Sequence, residues 1–402
     1  MDSKIRRYAA VLVALVMGLC AGLTINVAQV RKTSTPQAQT QGVEAGVEKY
    51  QEVMDLVDQY FIGDDVDMTQ VNDAMASGII SGLGDRWSYY VSAEDYQSYL
   101  NNISNSYVGV GITITAKNDD DGNLIGYEVT NVSSGGSAEE AGVQAGDILI
   151  EVDGTSVTGI SLTEVKTMVQ GEEGTTVKLG FLRNGETVTM TVERRALTVI
   201  PASGQMLSGN VGYIKIDNFD GGCAQTVMDL VAKLQSQGAT SLLFDVRNNP
   251  GGLKTELTRL LDYLLPEGTI FHTINYAGEE EVVTSDADCV DLPMAVLCNA
   301  DSYSAAEYFA CAIQQYGVGK VIGEQTCGKG YYQVGLQLSD GSCLNLSIGK
   351  YFTPNGESLI DVGVTPDVEL TLDDDLKQQL ALGKLDPEDD PQVQAALGCL
   401  LP

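Results

Sequence analysis

Two side chains in the second half of this sequence could together carry out acyl transfer. Ser304 stands in Asn299-Ala-Asp-Ser-Tyr-Ser-Ala-Ala-Glu307, between the apolar run 294–298 and a helical pattern that reaches Tyr316. A serine at a strand-to-helix turn holds its hydroxyl near the free N–H groups of the helix start, a common placement for a nucleophile. Helix capping by Ser302 or Ser304 reads the same pattern equally well. A nucleophilic serine also needs a base, and His272 is the only histidine in the chain. It sits beside Phe271 in a β-like stretch with no acid signature around it. A lysine can take the role where burial keeps its amine neutral. Lys329 is suited to it, framed by glycines in Glu324-Gln-Thr-Cys-Gly-Lys-Gly330 and surrounded by apolar, β-like sequence. The third component is Arg247-Asn-Asn-Pro-Gly-Gly252, whose Gly251/Gly252 turn could aim backbone amides at a developing oxyanion. A purely structural loop would look alike.

The elements that must position these groups read as α/β. Strands are expected over 211–216, 241–246 and 294–298, with helices over 223–237 and 255–265 and another ending at Tyr316. Upstream, residues 107–195 read as a small β-rich domain. It has strands at 108–115 and 124–132 around an Asp119-Asp-Asp-Gly-Asn123 tip, short helices at 137–142 and 162–169, and a last hairpin about Arg183-Asn-Gly-Glu186. Nearer the start, Val47, Tyr50, Val53, Met54, Val57 and Phe61 recur at helical spacing, as do Val71, Met75, Ile79, Ile80 and Leu83. These fit a helical region over 47–106.

Composition narrows the function. With 55 acidic and 23 basic residues and a formal charge of −32, the chain would be repelled by nucleic acid and by anionic membrane surfaces. Eight cysteines without a CxxC pair, and one histidine, give no zinc-ligand spacing, so neither a metal nor a cofactor is expected. Most of the thiols read as buried and free. Residues 1–7 carry Lys4, Arg6 and Arg7, and 8–30 contain no charge, long enough to cross a hydrocarbon core. An uncleaved anchor, or else a signal segment, is expected, with a linker over 31–46 and the rest of the chain outside the cytoplasm. The acidic tail, 371–402, reads as a solvated, partly helical appendage. Its Leu376, Leu380, Leu385, Val393 and Leu397 could instead pack across a homodimer.

The stretch Gly109-Val-Gly-Ile112, followed by Ser137-Ala-Glu-Glu-Ala-Gly-Val-Gln-Ala-Gly-Asp-Ile-Leu-Ile-Glu-Val-Asp-Gly154, resembles a PDZ domain. That resemblance implies a loop, Val108, Gly109, Val110, Gly111 and Ile112, that holds a substrate's terminal carboxylate while the peptide adds as a strand. Over residues 45–370 the order of motifs resembles the C-terminal processing peptidases, the tail-specific proteases of the S41 type. The motifs are Leu83-Gly-Asp-Arg-Trp-Ser-Tyr-Tyr90, the PDZ stretch, Asp245-Val-Arg-Asn-Asn-Pro-Gly-Gly252, the Ser304 segment, Gly328-Lys-Gly330, Tyr351-Phe-Thr-Pro-Asn-Gly356 and Gly363-Val-Thr-Pro-Asp367. The resemblance implies a multi-domain α/β protein: an N-terminal helical region, a β-barrel-like PDZ domain, and a ClpP/crotonase-like peptidase core over 196–370. It implies Ser304 as nucleophile, Lys329 as base and Gln333 as the residue orienting the lysine, with Ala305, Gly251 and Gly252 as oxyanion donors. The expected activity is cleavage of extracytoplasmic proteins near free, apolar C-termini. Tyr303 and Ala306 depart from the family's small-residue serine motif without deleting a catalytic group. A PDZ adaptor without activity would be expected to lack Ser304, Lys329 or Gln333, and all three are present. An enoyl-CoA-hydratase-like enzyme shares the core architecture, but neither the PDZ insertion nor the Ser/Lys pair.

Overall fold

The computed structural model describes residues 37–63, 65–119, 122–133 and 135–401. The expected anchor at 8–30 lies outside them, and among the described residues no helix is long and apolar enough to cross a membrane. The chain opens with α1 (Gln37–Tyr60), α2 (Met68–Ser81), β1 (Tyr89–Val91) and α3 (Tyr96–Ile103). Helix α1 corrects the expected linker, since 37–46 already belong to it. Its Gln-Ala-Gln start is rich in good helix formers, and propensity outweighs the missing apolar periodicity. Asp67 caps α2, its carboxylate accepting from the N–H groups of Thr69 and Gln70.

The β-rich domain follows as β2 (Ser106–Gly109), β3 (Ile112–Asn118), β4 (Leu124–Val132), α4 (Ser137–Glu140), β5 (Ile148–Val152), β6 (Thr155–Ser156), α5 (Leu162–Val169), β7 (Thr176–Arg183), β8 (Glu186–Glu193) and β9 (Arg195–Thr198). Strands β3, β4, β5, β7 and β8 form one antiparallel sheet in that order, which leaves β3 at an edge. Its core gathers Tyr127, Val129, Leu149, Val165, Val177, Leu179 and Phe181. Across this core Asp147 takes a two-pronged ion pair from Arg183, and that charge together with the Gln144 N–H holds the carboxyl below its usual range despite burial. Strand β2 pairs with β9, so both ends of the domain leave side by side.

The α/β part runs through β10 (Ala202–Leu207), β11 (Val211–Ile216), α6 (Cys223–Ser236), β12 (Ser241–Asp245), α7 (Lys254–Leu264), β13 (Gly268–Asn275), β14 (Glu280–Ser285), β15 (Met294–Cys298), α8 (Ala305–Gln315) and β16 (Gly319–Gly323). It continues with β17 (Tyr331–Gln337), β18 (Cys343–Phe352), β19 (Val368–Glu369), α9 (Asp374–Ala381) and α10 (Pro391–Leu400). Its sheet has the order β10, β11, β12, β15, β16, β19; β10 is antiparallel to β11 and the rest are parallel. Every residue of β12 and β15 is buried, as expected for central parallel strands covered on both faces, and both are apolar apart from Ser241 and Asp245 at the two ends of β12. On one face Phe244 meets Phe309 of α8 edge-on at 5.3 Å. On the other, Val393, Ala396 and Leu397 of α10 pack against Leu243, Ala295 and Leu297.

That second layer corrects the reading of the acidic tail as a solvated appendage. Without α10 the apolar side chains on one face of the sheet would lie open. Val393 and Leu397 are thus occupied within the chain. The buried cysteines 223, 298, 311 and 343 are free thiols. Burial raises all four, those of Cys298 and Cys311 to about 12, which keeps them protonated and unreactive in the folded chain.

By its internal contacts the chain divides into two units, residues 1–96 with 332–348, and residues 97–331 with 349–402. In the first, β1 pairs antiparallel with residues 343–345 of β18. In the second, β13 pairs with β14 and with residues 349–352 of β18.

Candidate active site

Ser304 stands at the turn from β15 into α8 with φ 58° and ψ −122°, a conformation that a residue bearing a Cβ adopts only under constraint. The constraint is visible on both sides. Before it, the Ser302 hydroxyl, fully buried, donates to the Val246 carbonyl at 2.7 Å and accepts from the Asn299 N–H at 3.0 Å. Ser302 is therefore the brace of the loop. After it, the Ser304 N–H donates to Glu307 Oε1 at 3.2 Å.

Glu307 is the centre of the arrangement, and sequence reading gave it no role. Its carboxylate is fully buried and accepts five hydrogen bonds. Oε1 takes the N–H groups of Ser304 and Lys329 (2.8 Å) and the Tyr351 hydroxyl (3.1 Å). Oε2 takes the Gly328 N–H and the Thr326 hydroxyl, each at 2.9 Å. Behind these, Tyr351 Oη accepts from the Gly330 N–H and Thr326 Oγ1 from the Val364 N–H. Burial, then the neighbouring Glu307 charge, pushes the Tyr351 phenol well above its ordinary value, so it remains a donor. One oxygen thus ties the backbone of Ser304 to that of Lys329, although 25 positions separate them in sequence. The only local hint is the Ser-x-x-Glu spacing of a capping box, seen here from its glutamate half. Both Ser304 and Lys329 are half-buried.

The turn after β12 lies directly against the serine. A Cβ added to Gly251 would come within 2.7 Å of Ser304 Cβ and 2.8 Å of the Ala305 nitrogen, so only glycine fits, and its φ of +91° demands the same. Of the expected oxyanion donors, the Gly251 N–H is already directed at Asn249 Oδ1 at 2.8 Å. The N–H groups of Gly252 and Ala305 meet no acceptor among the described residues. The turn is stitched to the serine loop by the Tyr303 N–H on the Asn249 carbonyl, and by Asn248 and Asn299, whose side chains bond each other at 2.7 Å. His272 lies on β13 opposite Phe352, with Glu280 3.6 Å away, and takes no part in this cluster. Gln333 belongs to the other unit, on β17, where its amide Nε2 donates to Ser347 Oγ at 2.9 Å.

Asp220 lies behind the same turn: a Cβ on Gly252 would approach its backbone nitrogen to 2.8 Å. Burial, then the charge of Glu256, raises its carboxyl to about 6. Between about pH 4 and pH 6 the unfolded carboxyl ionises while the folded one stays protonated, so stability falls across that window and stays lower above it. Asp220→Asn is expected to be more stable than the parent at pH 7.5, by roughly 1 kcal/mol once solvent at the exposed edge is discounted, with the gap closing at pH 4.5. Urea midpoints at the two pH values measure this; an unchanged gap excludes Asp220 as its source.

In the β-rich domain, Val108 and Gly109 lie within β2, in register with Ala196 and Arg195. Val110 and Gly111 (φ +82°) follow as a loop, and Ile112 opens β3. The carbonyls of Val110 and Gly111 hold Ala138 and Ser133, while their N–H groups meet no acceptor among the described residues. Two free amides beside an edge strand are the geometry that a terminal carboxylate and an added strand require.

Comparison with known proteins agrees with this layout. Residues 210–370 match the profile of Peptidase family S41, and residues 128–183 that of the PDZ domain. The chain is 31% identical over 305 residues to the Carboxy-terminal processing protease CtpA of Bacillus subtilis, covering 75% of this chain and 64% of that protein. It is 30% identical over 308 residues to the "Probable CtpA-like serine protease" of Staphylococcus aureus, covering 76% and 61%. It therefore spans less than two thirds of the length of either relative. Among solved structures, an S41-type protein of Bacteroides fragilis aligns with a TM-score of 0.52 at 18% identity, over 84% of this chain and 91% of that one, which shows a common fold.

Proposed function

From a chain that matches the profile of Peptidase family S41 over residues 210–370 and that of the PDZ domain over residues 128–183, we propose a serine endopeptidase that cleaves extracytoplasmic proteins near their free C-termini, with Ser304 as nucleophile and Lys329 as base. The observation that carries this reading is the buried Glu307 oxygen that accepts from the backbones of both residues. It supports a serine and a lysine brought to one place by a fold that strains the serine. In the cycle proposed, neutral Lys329 accepts the Ser304 proton as Oγ attacks the peptide carbonyl. The oxyanion is held by the N–H groups of Gly252 and Ala305, with Gly251 shaping the turn. The amine then passes the proton to the leaving nitrogen, and a water activated by Lys329 hydrolyses the acyl-enzyme. The Val110–Gly111 amides take the substrate's terminal carboxylate while the peptide extends β3, and apolar terminal residues are the preferred ligands. The charge-free segment 8–30 anchors the chain to the membrane with the catalytic part outside.

Two peptides of one apolar-ended sequence, one with a free carboxylate and one amidated, test both halves when incubated with the purified chain. Cleavage at least tenfold faster for the free acid is expected, together with labelling of Ser304 by a fluorophosphonate, located by mass spectrometry. Equal rates would remove the PDZ role, and a label on another residue would remove the nucleophile.

A further inference from the structure

We infer that Asp390 and Gln392, on the C-terminal segment beyond the S41-matched residues, are positioning residues that set the oxyanion turn through Arg247. The inference rests on the reading of Ser304 as nucleophile and of that turn as its oxyanion site.

Arg247 is the second residue after β12 and opens the turn Arg247-Asn-Asn-Pro-Gly-Gly252. Its guanidinium is buried and every nitrogen is occupied. Nε and Nη2 donate to the two oxygens of Asp245 at 2.9 and 2.6 Å. The remaining nitrogen, Nη1, lies 2.6 Å from Asp390 Oδ2 and donates to Gln392 Oε1 at 2.8 Å. Asp390 is itself fixed, because its Oδ1 caps α10 by accepting from the Gln392 and Val393 N–H groups. Gln392 is fixed in turn by donating to the Leu370 carbonyl. All three partners are at most 1% exposed.

Neutralising Arg247 does not require this second carboxylate, since Asp245 already pairs with it in bidentate geometry. A buried cluster of two carboxylates and one guanidinium carries an uncompensated charge, which is costly for a protein to keep. What Asp390 adds is direction. A planar guanidinium held at three nitrogens cannot rotate, and the residue that begins the turn is fixed with it. The Arg247 N–H is also bound to Asp245 Oδ1 at 3.0 Å, so backbone and side chain are locked to the same strand end. Four residues later comes Gly251, packed against Ser304 with no room for a single added carbon. In so tight a contact, a shift of a few tenths of an ångström at Arg247 moves the Gly252 amide relative to the serine, and oxyanion stabilisation is steeply sensitive to donor position.

The full-length chain carries the test, with Asp390→Asn, Gln392→Met and Val393→Ala compared against the parent. The readouts are kcat and KM on the free-acid peptide, the fluorophosphonate labelling rate, and hydrogen exchange of residues 248–252. For Asp390→Asn we expect kcat and labelling to fall about tenfold, KM to be unchanged, and exchange in the turn to accelerate at least tenfold while β13 is unaffected. Gln392→Met is expected to fall about threefold, which covers the case in which Asp390→Asn does not fold. Val393→Ala loosens α10 without touching Arg247, and should lower the melting temperature while leaving kcat unchanged. Parental kcat and turn exchange in the folded variants overturn the inference, as does a kcat loss in Val393→Ala equal to that of Asp390→Asn. If Ser304→Ala is still labelled, the nucleophile assignment fails instead, and exchange in the turn continues to report on the clamp by itself.

Discussion

Ser304→Ala and Lys329→Met are each expected to lower kcat by at least about 10⁴-fold, and the double variant to be no slower than the worse of the two. In the proposed cycle the two groups act as one unit: an unactivated hydroxyl is a poor nucleophile, and a base without its hydroxyl has no proton to take. Methionine keeps the length and apolar stem of Lys329 and removes only the amine, and the Lys329 N–H that binds Glu307 belongs to the backbone and survives the change. Lys329→Arg is the sharper control. Arginine keeps the charge and more than the reach, yet it cannot give up its proton at any working pH, so it should be as inactive as methionine. Steady-state peptide cleavage, with melting curves to show that each variant is folded, decides the matter. Arginine restoring even a hundredth of parental kcat would mean that Lys329 acts by charge and not as a base.

The second large effect is on stability. Glu307→Ala removes the acceptor for five donors in a fully buried site, and each orphaned donor costs about 1–3 kcal/mol where water cannot replace it. Partial relaxation of the two loops brings the net loss to roughly 3–5 kcal/mol, out of the 5–15 kcal/mol typical of a whole folded protein. A fall of about 4–8 °C in melting temperature is the expected result. Glu307→Gln should recover little of it, despite its matching shape. Every partner donates to this side chain, so it must be acceptor-only, and an amide turns one of its two ends into a donor facing donors. Calorimetry of the three proteins measures the effect, and a glutamine variant as stable as the parent would show that the charge is dispensable.

Local pattern carried much of this molecule. Strands β11 and β15 begin and end where their apolar runs do, and α6 and α7 lie within one residue of the expected limits, because periodicity and turn residues are properties of short windows. The hairpins and short helices of the β-rich domain were legible for the same reason. What short windows do not contain is partnership at a distance. Asp390 and Gln392 read as members of an acidic tail, since nothing in the tail's own composition names an arginine more than 140 positions earlier. Glu307 read as the last letter of a serine motif, because its five partners are spread from 304 to 351. As helix caps, Ser302 and Ser304 were equivalent readings of the sequence. Backbone strain at one and complete burial of the other separate them in three dimensions. Gly251 was among the expected oxyanion donors, and the Asn249 side chain that accepts its N–H is a contact no composition-level signal distinguishes.

The buried thiols bear on how long a molecule of this protein lasts. Folded, they are shielded and protonated, and the buried cysteines 223, 298, 311 and 343 are free thiols. Each excursion to the unfolded state, however, presents several unshielded sulfhydryls at once, on one chain and among neighbours. In air-exposed surroundings some of those molecules cross-link wrongly before they can refold, and such losses accumulate irreversibly. The working lifetime in such surroundings is then set by how rarely the fold opens, a matter of the height of a barrier and not of the depth of a well.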